Sequence, residues 1–149
     1  MTTQHIEPGQ SCPVARTADV IGDRWSLLIV RDAFDGVRRF GDFQSGLGVA
    51  RSVLANRLKN LVEAGIFEVR PASDGTSYQE YVLTGKGKSL FPVVVAFRQW
   101  AEQYLFEPHE AHSQLVDTAT GQPLGLMQPV TAQGEVIAPE QTRVKKNPA

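Results

Sequence analysis

Few of the 149 residues carry groups able to do covalent chemistry, and their spacing narrows the choice. A single cysteine, Cys12, stands directly before Pro13. A thiol at the start of a helix is more readily a thiolate, and so is open to oxidants or electrophiles. The plainer reading makes it a small residue packed in an interface. With one cysteine no disulfide can close within the chain, so only an adduct or a bond between two copies would serve as a sensor. His109 and His112 offer imidazoles three residues apart, a spacing at which a helix could present both to a metal ion. Pro108 beside them reads instead as the end of a helix, and no metal or other cofactor is expected. Gly85-Lys86-Gly87-Lys88-Ser89 ends like a phosphate-binding loop, but the first glycine of that motif would fall at Val82, so the stretch reads as a helix start. No nucleophile is spaced with a base, and an enzymatic role is not expected.

The remaining chemistry is electrostatic. The chain carries 15 basic and 16 acidic residues, a formal charge of −1 that at first argues against a polyanionic partner. The charge is unevenly placed. Between residues 36 and 62, Arg38, Arg39, Arg51, Arg57 and Lys59 face Asp42 alone, a net +4 flanked by mildly acidic segments. Such a patch suits a local polyanion site, although charge runs are more often solvated surface.

The elements that would position these groups follow from apolar spacing. The length suits one domain with a small appendage. Pro13 begins a helix that Gly22 can end, with Ser11 or Cys12 as its cap. Asp23 caps a second helix, Arg24 to Phe34, apolar on most sides and therefore central to a core. Phe40, Phe43 and Leu47 mark a short third helix. A fourth, from about Ala50 to Ala64, places Leu54, Leu58, Leu61 and Val62 on one face and Ser52, Asn56, Lys59 and Glu63 on the other. Ile66 to Arg70 and Tyr78 to Leu83 alternate as strands around the turn signal Asp74-Gly75. Thr84 then caps a long helix, roughly Gly85 to Phe106, in which Pro92 predicts a kink. Beyond Glu107 only short strands at 115–116, 124–127 and 135–138 are expected, joined by turns at Thr120-Gly121 and Gln133-Gly134. No apolar run approaches the roughly 20 residues of a membrane span. The start lacks the basic and apolar regions of a signal peptide, so a cytoplasmic protein is expected.

Helix, helix, short helix, helix, hairpin, helix is the order of a winged helix-turn-helix, a mainly α fold with a small β wing. The fourth helix would enter the major groove, with Arg51 and Ser52 at its leading end. The sequence also resembles the HxlR family of bacterial transcriptional regulators, within the MarR-like superfamily. The residues that carry the resemblance are Cys12-Pro13-Val14-Ala15, Ile21-Gly22-Asp23-Arg24-Trp25-Ser26-Leu27-Leu28-Ile29 and Arg38-Arg39-Phe40-Gly41-Asp42-Phe43. They continue in Leu54-Ala55-Asn56-Arg57-Leu58-Lys59-Asn60-Leu61, Ala64-Gly65-Ile66 and Tyr81-Val82-Leu83-Thr84-Gly85-Lys86-Gly87. They span about Cys12 to Tyr104. The resemblance implies a homodimer on a pseudo-palindromic duplex operator, acting as a repressor. The first and last helices would form the interface, with Val14, Val93, Phe97, Trp100 and Tyr104 as its candidate residues. It also implies a cysteine at the place of Cys12 that can sense oxidants or electrophiles.

The sequence departs from the family at three places. Ala50-Arg51 stands where a Ser-Pro pair often begins the recognition helix, so the cap is poor and the operator cannot be borrowed. Gly85 replaces a usual acidic residue, weakening the helix start by up to roughly 1 kcal/mol. The glycine turns of the tail carry no cysteine, so no zinc is expected there.

The expected organisation is an arm at 1–11, a DNA-binding and dimerisation domain at 12–106 and a tail at 107–149 that is either a small β appendage on the dimer or a mobile segment. Arg51, Ser52, Asn56 and Lys59 are the candidates for the major groove. Arg38, Arg39, Arg57, Thr76 and Ser77 are the candidates for phosphate or the minor groove. The competing readings are a winged helix that binds a protein, or a ligand-sensing regulator without a redox role whose effector lies along Phe97, Trp100 and Tyr104.

Overall fold

The computed structural model describes residues 11–146, so the expected arm lies almost wholly outside the described residues. Helix α1 (Pro13–Ile21) starts with Pro13 in its first turn and Cys12 in extended conformation at the cap. Proline costs nothing there, because the first turn has no intrahelical use for its N–H. Helix α2 (Arg24–Phe34) is capped by Asp23, whose Oδ2 accepts from the Ser26 N–H at 3.0 Å. Helix α3 (Phe40–Leu47) ends at Gly48, where φ is 65°, a left-handed value that favours glycine. Helix α4 (Arg51–Glu63) begins at Ala50 with no side-chain cap, as the missing Ser-Pro pair implied.

Strands β1 (Phe67–Pro71) and β2 (Gln79–Leu83) form one antiparallel hairpin, with Phe67 opposite Leu83, Val69 opposite Tyr81 and Pro71 opposite Gln79. The expected single long helix is two helices. Helix α5 (Gly85–Lys88) follows the Thr84 cap, and α6 (Phe91–Tyr104) starts afresh. Pro92 therefore sits in the first turn of α6, not inside a kinked helix. Proline disfavours helical conformation in the residue before it and lacks the N–H a continuous helix would use. Gly85 and Gly87 give the preceding turn little helix propensity to resist the break.

The described residues divide into two compact units that part between Val94 and Val95, inside α6. In the first, Ile29, Phe43, Leu54, Leu58 and Leu61 are wholly buried, one set from each of α2, α3 and α4. Phe43 meets Phe67 edge-on at 6.3 Å, and Phe67 meets Tyr81 at 6.4 Å, which ties the hairpin to the helices. Each such side chain contributes about 1.5–3 kcal/mol of burial. Leu90, Val93 and Val94 also pack on this core.

In the second unit the expected strands reduce to two isolated bridges, Val116–Pro123 and Val130–Val136. The stretch 124–127 is not a strand. Gln99 takes its backbone groups, donating Nε2 to the Gly125 carbonyl at 3.0 Å and accepting from Met127 N–H at 2.8 Å. The two glycine turns form as expected, with φ of 71° at Gly121 and 87° at Gly134. A short 3-10 turn follows at Pro139–Gln141.

Candidate nucleic-acid interface

Burial of Leu54, Leu58 and Leu61 fixes the rotation of α4 and turns Arg51, Ser52, Ala55 and Lys59 outward, all exposed. The Arg51 guanidinium lies 4.9 Å above the Phe40 ring, so its charge is held at the leading end of the helix.

Asn56 and Arg57 are half-buried and work within the protein. Arg57 donates Nε to Asp23 at 2.9 Å and Nη1 to the Asn56 Oδ1 at 2.7 Å. Asn60 Nδ2 reaches the same oxygen at 3.4 Å. Partial burial pushes the Asp23 carboxyl up, but hydrogen bonds from Ser26 and Arg57, with the arginine's charge, outweigh it and hold the carboxyl below its ordinary range. The Asn56 carbonyl thus accepts two bonds within the protein, and among the described contacts its amide N–H groups make none.

The wing is tied to the segment before α3. The Tyr81 N–H donates to the Arg38 carbonyl at 2.7 Å. Glu80 is only 7% exposed, accepts from Ser73 N–H at 3.2 Å, and lies 3.8 Å from Arg38 Nη1. At the tip, Arg39 forms an ion pair with Asp74, approaches Thr76 Oγ1 at 3.4 Å and stacks over Tyr78 at 4.9 Å. Between the wing and the leading ends of α3 and α4 runs an open groove of about 720 Å³, lined by Arg39, Phe40, Gln44, Arg51, Tyr78 and Gln79 among others. Arg39, Arg51 and Ser77 from the expected set thus meet around one groove, while Arg57 is turned to Asp23.

Sequence reasoning missed Asp74, Tyr78, Glu80 and Gln44. Asp74 was legible only as a turn residue, and Glu80 only as the polar side of an alternating strand. Their partners lie 35 and 42 positions away at Arg39 and Arg38.

Cys12 is exposed at the cap of α1. Val14, Phe97, Trp100 and Tyr104 are 58–77% exposed, and the Trp100 and Tyr104 rings lie 5.7 Å apart. Val93 differs from them, half-buried against the core of the first unit. His112 packs on Phe106 at 4.6 Å with Nδ1 2.8 Å from the Ser113 carbonyl oxygen. Among the described residues no three metal-ligating side chains cluster. No helix among them is long and apolar enough to cross a membrane.

A helix pair α3–α4 followed at once by a two-stranded hairpin defines a winged helix-turn-helix. The chain belongs to the HxlR-like helix-turn-helix family, whose sequence profile matches residues 20–109. The family's transcriptional regulators are DNA-binding proteins and not enzymes, in keeping with the reading from sequence. The chain is 54% identical to PA1607, a proposed transcription factor of known structure; the two superpose with a TM-score of 0.86 over 92% of this chain and 96% of that one. It is 44% identical over 104 residues to the HTH-type transcriptional regulator Rv3095 of Mycobacterium tuberculosis. That match takes in 70% of this chain, which spans 65% of the relative's length. The redox regulator HypR, in its reduced form, is 30% identical with a TM-score of 0.56, over 62% of this chain and 92% of HypR.

Proposed function

We propose that this chain is a homodimeric transcriptional regulator that binds a pseudo-palindromic duplex operator and represses from it, in the bacterial cytoplasm. One observation carries the reading. The exposed face of α4 and the groove beside it collect Arg39 and Arg51, with Lys59 further along, from the one segment of the chain with a strong positive balance. Arg51, Ser52, Asn56 and Lys59 are assigned to the major groove. Arg38, Arg39, Arg57, Thr76 and Ser77 are assigned to the backbone or the minor groove, Arg57 by giving up part of its bond to Asp23. The working domain is residues 12–106, with 107–149 as an appendage.

Dimerisation is supported by the exposed aromatic run Phe97, Trp100 and Tyr104 on α6 and, separately, by the exposure of Val14 on α1, since exposed apolar runs of this kind mark an interface. Sensing through Cys12 is supported by its exposure at a helix start and by likeness to a redox regulator. The step would be an adduct, or a disulfide between two subunits in which the oxidant takes two electrons and two protons from the paired thiols.

Selection of bound duplexes from a random pool by the full chain tests the reading. An inverted repeat with half-site centres about 10 bp or a multiple apart is expected, with binding that weakens steeply as salt rises. Absence of any DNA retention at low salt would favour a winged helix that binds protein.

A further inference from the structure

The wing carries an acidic residue where a DNA-binding surface should be positive. Asp74 lies at the tip, half-exposed, with one oxygen on Arg39 Nη2 and the other accepting from the Thr76 N–H at 3.1 Å. The Thr76 N–H and hydroxyl, with a smaller contribution from Arg39, outweigh desolvation and hold its carboxyl below the ordinary range, so it is an anion at neutral pH. Arg39 is the lone cation it meets among the described contacts, and the guanidinium also rests on the Tyr78 ring. Across the groove Arg51 is held the same way by Phe40. The charged groups lining the groove are therefore Arg39, Arg51 and Asp42, with Asp74 drawn in only through Arg39.

We propose that Asp74 holds the place of a DNA phosphate. One strand's sugar–phosphate backbone enters the groove between the wing and α4, and a phosphate takes Arg39 from Asp74. This deepens the DNA-binding reading and rests on it.

Three features favour the exchange. An ion pair between exposed side chains is weak, so opening it costs little. A DNA phosphodiester carries the same single negative charge and has two oxygens free for an arginine, whereas Asp74 gives Arg39 one oxygen and spends the other on the Thr76 N–H. Tyr78 supports the guanidinium plane whichever anion it meets, so the swap needs no rebuilding of the wing. Gln44, Ser77 and Gln79 line the same groove and supply neutral donors for sugar and phosphate oxygens. Asp74 thereby sets affinity: every complex must first displace it.

Binding of the full chain to a 30-bp random-sequence duplex, measured across a salt series, tests this with Asp74→Ser, Asp74→Asn, Arg39→Ala and the double variant Arg39→Ala/Asp74→Ser. Both Asp74 variants should bind about three- to ten-fold tighter than the parent. Asparagine keeps an acceptor for the Thr76 N–H, so a gain shared by both variants cannot come from a disordered tip. Arg39→Ala should lower the slope of log K against log salt by about 0.9. In the Arg39→Ala background, Asp74→Ser should change affinity less than two-fold.

Weaker binding by both Asp74 variants would make the pair a strut of the wing and overturn the proposal. So would a gain of equal size without Arg39, which would be a general charge effect. A parent protein that fails to bind duplex at low salt would overturn the DNA reading itself, and with it this inference.

Discussion

The carboxylate of Asp23 that starts α2 also anchors the middle of α4. Its Oδ2 accepts from the Ser26 N–H at 3.0 Å and from Arg57 Nε at 2.9 Å. The rotation of the proposed recognition helix is thus set from inside by a charge as well as by its buried leucines.

Replacing Asp23 separates the two tasks. Asp23→Ala removes cap and ion pair and should cost about 1–2 kcal/mol in urea unfolding. Asp23→Asn keeps a good cap and should cost less, since the pair is partly exposed and weak. The pH dependence has a definite sign. The folded carboxyl titrates below its unfolded value of about 3.9, so its contribution is full above that value and is lost as pH falls through the lower folded one. The gap between parent and Asp23→Asn should close in acid and stay constant from pH 6 to 8.

Two glycines of one motif should respond with opposite signs. Thr84 donates Oγ1 to the Gly65 carbonyl and accepts from the Gly87 N–H at 3.0 Å, holding α5 against the turn that follows α4. A Cβ at Gly87 would overlap the Ile66 carbonyl oxygen, whereas one at Gly85 meets open space. Gly87→Ala should destabilise by about 1–3 kcal/mol. Gly85→Ala should stabilise by about 0.4–1 kcal/mol. Urea midpoints at fixed m-value report both.

The aromatic run on α6 should carry the dimer. Trp100 is 59% exposed and Phe97 58%. Charge placed there, as Trp100→Asp or Phe97→Asp, should yield a folded monomer by sedimentation equilibrium and weaken operator binding at least ten-fold. Dimers that persist in both variants would assign the interface elsewhere.

Much of this architecture was legible beforehand because it rests on local signals. Asp23, Pro13 and Gly48 start and stop helices by chemistry that acts over one turn. Leu54, Leu58 and Leu61 report a buried face by spacing alone. The break before Phe91 was missed because Pro92 permits either a kink or a fresh first turn, and the weak glycine stretch before it decides. The site was legible as a cationic segment but not as a geometry. Arg57 looked like a surface base until Asp23, 34 positions earlier, met it. Asp74 looked like a turn residue until Arg39 met it. Pairings over such separations depend on the packing of α2, α3 and the hairpin, which no local pattern reports.

Cys12 tests the proposed sensing. Diamide or a quinone should release the parent protein from its operator, and Cys12→Ser should bind equally well but resist release. Release that survives the substitution would remove Cys12 from the mechanism.

The central claim is that the outward face of α4 meets duplex DNA. The most direct measurement is the affinity of parent, Lys59→Ala and Asn56→Ala for a selected duplex and for random duplex across a salt series. Lys59→Ala should weaken both by a similar factor and lower the salt slope by about 0.9. Asn56→Ala should narrow the ratio of selected to random binding and leave the slope nearly unchanged. A parent protein whose binding does not vary with salt, or variants that shift both duplexes equally with unchanged slope, would contradict the claim.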